Sequence, residues 1–162
     1  MKKNLLEGKK ILVVDDEPDV VETLKDFLSM CTLAQAYNFE DARDLLERET
    51  FDIAILDIMG VDGYKLLEIA NDRNVLAVML TANALSVGHT VRSFKNGAAY
   101  YVPKEEMAHI DDFLNDILVA RKKGTNLQNQ WLERMGSFYE EKFGPDWQSD
   151  EPEFWENFGS LE

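Results

Sequence analysis

The sequence predicts an α/β protein: a doubly wound, five-stranded parallel sheet with helices on both faces, followed by a C-terminal helical extension. Three observations predict it. Short apolar, β-branched runs alternate five times with amphipathic stretches, the pattern of βα units joined by right-handed crossovers. The runs are almost continuously apolar, as strands covered on both faces are. The alternation then stops near "RKKGTN" (121–126), where an acidic, aromatic-rich segment begins.

The elements follow in order. "KILVV" reads as a buried first strand. Pro18 stands where a first helical turn tolerates it, and Val21, Leu24, Phe27 and Leu28 follow at helical spacing. "LAQAY" is a short second strand, and Asn38 suits the N-cap of "FEDARDLLERE". "FDIAIL" is the third strand and "YKLLEIAND" the third helix. "VLAVMLT" is the fourth strand, and a weaker helix covers 85–95 with Gly97 as its left-handed end. "AYYVP" is the fifth strand and "EEMAHIDDFLNDILVARKK" the fifth helix. Beyond it, Trp131, Leu132, Met135, Phe138, Tyr139 and Phe143 share one helical face. They predict a sixth helix over Leu127–Phe143, ended by Gly144 and Pro145. "DWQSDEPEFWENF" sets aromatics among acids and reads as a segment able to be disordered by itself. The chain thus divides into a lead (1–8), an α/β domain (9–123) and an extension (124–162).

The charge balance restricts partners. Seventeen Lys and Arg stand against 31 Asp and Glu, a net charge of -14. Such a chain is a poor match for nucleic-acid phosphates, and no nucleic-acid partner is expected. Within the extension, only Arg134 and Lys142 oppose nine acids. Cys31 is the sole cysteine and reads as a small core residue. The first apolar run meets three acids after Val14, unlike a signal peptide, and no run is long enough to span a bilayer. The expected location is the cytoplasm, with no membrane partner. His89 and His109 are isolated and read as solvated or core residues.

In an open parallel sheet, ligands bind beyond the carboxyl ends of the strands. Here those ends carry Asp15-Asp16-Glu17, Asp57, Thr81 and Lys104. Clustered carboxylates repel one another and raise each other's pKa values. A hard divalent cation such as Mg²⁺ relieves that repulsion. Carboxylates, metal, ammonium and hydroxyl around one point are what a phosphoryl group needs for positioning and neutralisation. The Asp57 carboxylate can itself be the nucleophile, giving an acyl phosphate. Each residue alone has a structural explanation: helix capping for the acidic run, a turn for Asp57, a solvated surface for Lys104. The convergence of four strand ends favours a site.

The stretches "ILVVDDEPDV", "FDIAILDIMGVDGYKLL", "VMLTA" and "GAAYYVPK" resemble the receiver domain of two-component response regulators across 9–122. The resemblance implies a (βα)5, flavodoxin-like fold. It implies that Asp57 is the phospho-acceptor, fed from a phosphohistidine on a sensor histidine kinase or phosphotransfer protein. Asp16 would bind Mg²⁺ directly, Asp15 largely through water, and the Met59 carbonyl would be another ligand beside Asp57. Thr81 would move onto a phosphoryl oxygen, Lys104 would pair with the phosphate, and Tyr101 would be the switch aromatic that swings inward on activation. The face of helix 4, strand 5 and helix 5 would then select a downstream protein or a second copy.

Two features depart from the family pattern. The "DIMGVDG" loop is two residues short and lacks a proline. In place of Lys-Pro the chain has "VPKEE", so the expectation is either a trans Lys104–Glu105 bond in a reshaped loop or a strained cis bond.

The aromatic face of the extension has two readings: it covers apolar surface on its own domain or a twin, or it offers Trp131, Phe138, Trp147 and Trp155 as anchors to a partner's groove. No helix-turn-helix, zinc or catalytic effector pattern is present. The resulting expectation is a stand-alone, non-enzymatic phospho-accepting regulator. The alternative is an adaptor of the same fold in which the short loop abolishes phosphorylation. A Mg²⁺-dependent phosphatase with an aspartyl nucleophile would carry a second Asp where Met59 stands.

Overall fold

The computed structural model describes residues 5–82 and 86–159. Five strands, β1 (Lys10–Val14), β2 (Thr32–Ala36), β3 (Ile53–Asp57), β4 (Leu76–Thr81) and β5 (Tyr100–Pro103), form one sheet in the order β2-β1-β3-β4-β5. Every pairing is parallel, with Ile11 opposite Leu33 and Ile53, and Met79 opposite Tyr101. The strand order reverses direction between β1 and β3, so a crevice opens at their carboxyl ends. Ile11, Leu12, Ile53, Ala54, Ile55 and Leu56 are fully buried, as strands covered by helices on both faces must be.

The helices α1 (Pro18–Phe27), α2 (Phe39–Arg48), α3 (Gly63–Asp72) and α4 (Val87–Lys95) lie where the periodicity puts them. Pro18 occupies the first turn of α1, and Asn38 Oδ1 accepts from the Asp41 N–H at 2.8 Å to cap α2. Gly97 follows α4 at φ 94°. The expected start of that helix at 85 lies outside the described residues.

The fifth helix differs from its expectation. Lys104–His109 form a 3₁₀ segment, and the α-helix proper, α5, is Ile110–Lys123. The tight turn lets the chain reverse directly from β5 while Lys104 stays at the rim. No cis peptide bond occurs among the described residues, so Lys104–Glu105 takes the trans form.

Beyond α5, α6 (Leu127–Phe143) and α7 (Pro152–Asn157) fold back on the domain. The stretch whose order the sequence left open is helical and packed: Pro152 starts α7, and Trp155 and Phe158 are buried. Trp131 is fully buried, edge-on to Phe94 of α4 with ring centroids 5.1 Å apart. It stacks on Trp155, which meets Trp147 at 4.9 Å. Lys95–Glu151 (2.9 Å), Lys142–Glu105 (2.5 Å) and Arg134–Asp116 pairs fringe this layer. Exposed pairs such as the first contribute about 0–1 kcal/mol, whereas a buried large apolar side chain contributes roughly 1.5–3 kcal/mol. The aromatic rings therefore hold the extension down, and the ion pairs set its register.

Candidate functional site

Asp57 is the last residue of β3 and is 5% exposed. It sits in parallel register with Leu80, whose carbonyl accepts from the Ile58 N–H at 3.3 Å. The short loop after it closes tightly, with the Gly63 N–H donating to the Ile58 carbonyl at 3.1 Å. Two glycines make that closure possible. A Cβ at Gly63 would run into the Asp57 carbonyl, and one at Gly60 (φ 88°) would sit 2.5 Å from an Asp16 carboxylate oxygen.

The other strand ends converge on the same rim. Asp15, just past β1, is fully buried; its Oδ1 accepts from the Glu17 N–H at 2.9 Å. Lys104, just past β5, brings its Nζ to 3.0 Å from Asp15 Oδ2, 3.1 Å from Glu17 Oε1 and 3.6 Å from Asp57 Oδ1. Thr81 is buried at the end of β4 and donates its hydroxyl to the Ala82 carbonyl at 3.2 Å. Asp16 and the Met59 side chain are exposed at the mouth.

The electrostatics are unbalanced. Burial, then the Asp15 charge, pushes the Asp57 carboxyl up to about 7; Lys104 opposes this and Asp16 adds to it. Burial likewise raises Asp15, against the Glu17 N–H and Lys104. Burial disfavours the Lys104 ammonium, yet Asp15, Glu17 and Asp57 together hold its pKa above the usual lysine value. Asp15, Asp16 and Glu17 can bring one oxygen each within 4.8 Å of one another. An all-oxygen donor set with more negative charge than Lys104 can neutralise fits a hard divalent cation.

Asp15, Asp16, Asp57, Met59, Thr81 and Lys104 thus meet at one rim. Tyr101 does not: it is buried, its phenol is pushed up to about 12 by that burial, and it lines a small cavity with Thr81 and with Phe138, Tyr139, Lys142 and Phe143 of α6. The four aromatic anchor candidates are away from the rim as well. Trp131 donates its indole N–H to the Tyr101 carbonyl at 2.8 Å. Trp155 is buried, and Phe138 and Trp147 are half-buried. All four face their own domain, the arrangement of the covering reading. Sequence reasoning gave Glu17 no pairing role with Lys104, and did not foresee the Thr90–Tyr139 hydroxyl pair at 2.7 Å. His89 is a structural residue, bonded through Nδ1 to the Tyr64 hydroxyl at 2.8 Å.

A parallel five-stranded sheet with acids, a hydroxyl and a lysine at its strand ends defines a class, and the comparisons agree. Residues 11–115 match the response regulator receiver domain family, and the chain belongs to that family, the receiver domains of two-component systems. It is 35% identical over 80 residues to response regulator GtcR of Aneurinibacillus migulanus, covering 46% of this chain and 33% of that protein. It is 39% identical over 100 residues to the heme response regulator HssR of Staphylococcus aureus (strain Newman), covering 57% of this chain and 43% of that protein. The chain therefore spans less than half the length of these curated relatives. Among solved structures, a CheY-like response regulator receiver domain protein from Methanospirillum hungatei JF-1 is 25% identical with a TM-score of 0.57, over 68% of this chain and 96% of that one. A two-component response regulator from Clostridium difficile shares the fold at 24% identity and a TM-score of 0.62, over 68% and 95%. No helix among the described residues is long and apolar enough to cross a membrane.

Proposed function

We propose that the protein is a phospho-accepting switch in which Asp57 takes a phosphoryl group from a phosphohistidine of a sensor histidine kinase or phosphotransfer protein. The observation that carries this reading is the placement of Lys104 against both Asp15 and Asp57, with Thr81 at the next strand end. An Asp57 carboxylate oxygen attacks phosphorus; the new O–P bond forms as the P–N bond breaks, and the imidazole leaves, taking a proton from solvent. Asp15, Asp16 and Asp57, with the Met59 carbonyl, would hold Mg²⁺, which when bound neutralises charge on the phosphoryl oxygens. Lys104 supplies a second positive charge from the β5 side, and the Thr81 hydroxyl turns to a phosphoryl oxygen. The output is protein–protein interaction, with no turnover of a free substrate, and the protein works in the cytoplasm.

Intact mass after incubation with acetyl phosphate and Mg²⁺ tests the reading, for the wild type and Asp57→Ala. A single phosphoryl adduct on the wild type and none on the variant is expected. No adduct on the wild type, from acetyl phosphate or from a phosphorylated histidine phosphotransfer domain, would overturn it in favour of an adaptor.

A further inference from the structure

Lys104 is carried by a turn that has little of its own to hold it. None of the six residues of Lys104–His109 is buried, and no side chain caps the segment at Pro103. A short 3₁₀ stretch with few buried contacts opens easily. Yet Lys104 brings its ammonium to both Asp15 and Asp57. Helix α6 grips the chain on either side of it. Three residues before Lys104, the Tyr101 carbonyl accepts from the indole N–H of the fully buried Trp131 at 2.8 Å. One residue after it, Glu105 Oε2 meets Lys142 Nζ at 2.5 Å, and both side chains are half-buried. Trp131 and Lys142 stand about three turns apart on one face of α6. Met135 and Tyr139, buried between them, seat that face on the domain.

We propose that α6 positions Lys104 for phosphoryl transfer, with Lys142 and Glu105 as the positioning residues. Successive side chains of a 3₁₀ turn point about a third of a turn apart. Holding the Glu105 carboxylate on α6 therefore turns Lys104 away from the extension and toward the strand ends. Pro103, at φ -65°, stiffens the backbone on the strand side. The pair acts on charge as well. Glu105 is a further acid next to Lys104, and Lys142 occupies it. The Lys104 ammonium is then left to Asp15, Glu17 and Asp57. Rates of transfer are steep in such geometry: a misplacement of about 1 Å can cost about a hundredfold. The extension is thus a working part of the phosphorylation site, supplying the hold that the turn lacks.

This inference rests on the Asp57 phosphorylation reading, and two measurements on the full chain separate them. The first is acetylation of Lys104 by N-hydroxysuccinimidyl acetate at pH 8, read by peptide mass spectrometry with the exposed Lys65 as reference. The second is the rate of adduct formation from acetyl phosphate and Mg²⁺. Urea midpoints confirm that each variant folds. Lys142→Met and Glu105→Gln should each label Lys104 several-fold faster and form the adduct about tenfold more slowly. The double variant should be no slower than either single one, because both break the same pair. Lys142→Arg, which keeps the charge, should restore both readouts. Wild-type labelling of Lys104 in the two single variants would overturn the clamp. So would an Arg variant as impaired as Met, or faster labelling with an unchanged adduct rate. If the wild type forms no adduct, the phosphorylation reading fails, and labelling alone decides whether α6 holds Lys104.

Discussion

Lys104 Nζ lies closer to Asp15, at 3.0 Å, than to Asp57, at 3.6 Å. The lysine thus compensates a fully buried carboxylate as well as facing the acceptor. Removing one partner of a buried pair leaves the other's charge uncompensated, which costs about 3–5 kcal/mol in full burial and less at this partly open rim. Lys104→Met should therefore lower unfolding free energy by roughly 1–3 kcal/mol in urea at pH 8 without Mg²⁺. A change under about 0.5 kcal/mol would show the pair to be energetically idle.

The elevated Asp57 pKa makes the metal-free protein pH-sensitive. The folded carboxyl titrates near 7, well above its ordinary value of 3.8, so between those limits the folded state holds a proton that the unfolded state has lost. Stability then falls as pH rises through that window, by about 4 kcal/mol at most, and the loss is complete above it. Asp15, also raised, contributes with the same sign. Asp57→Asn should flatten the profile and be more stable than wild type at pH 8. Mg²⁺ should raise the melting temperature more at pH 8 than at pH 5, and an equal rise at both would contradict the charge argument.

Gly60 joins the short loop to the metal-facing edge. Its φ of 88° and its closeness to the Asp16 carboxylate leave no room for a methyl group. Gly60→Ala should destabilise the fold by about 1–3 kcal/mol and weaken Mg²⁺ binding by displacing Asp16. Isothermal titration reads the second effect, and unchanged affinity would mean that Asp16 is not a ligand.

Cys31 offers an independent check of packing. Burial pushes its thiol up to about 11, and Sγ donates weakly to the Leu6 carbonyl at 3.5 Å. Alkylation by iodoacetamide should be slow at pH 7.5 and rise about tenfold per pH unit toward that value. A rate at pH 7.5 equal to that of a free thiol would show the N-terminal lead to be undocked there.

The sheet and its rim were legible because parallel βα units fix where strand ends go. Once "FDIAIL" is the third strand, Asp57 must meet whatever follows Val14, Leu80 and Pro103. The 3₁₀ segment was not legible, because "KEEMAH" carries good helix formers and periodicity does not separate a tight turn from an α-turn. Helix α7 was obscured by acids, although Pro152 at its start and the Phe154–Trp155–Phe158 spacing were in view. The Thr90–Tyr139 contact joins residues 49 apart, and nothing local to either stretch announces it.

All three tryptophans of the chain, Trp131, Trp147 and Trp155, lie in the extension and in one cluster of rings. The α/β domain contributes none. Excited at 295 nm, the protein therefore emits from the extension alone. With Trp131 and Trp155 stacked at 6.2 Å and both buried, their fixed asymmetric surroundings should give a near-ultraviolet dichroism signal that is lost when the rings part. The molecule carries its own optical probe of this segment, one that needs no label and follows kinetics in a stopped-flow cell.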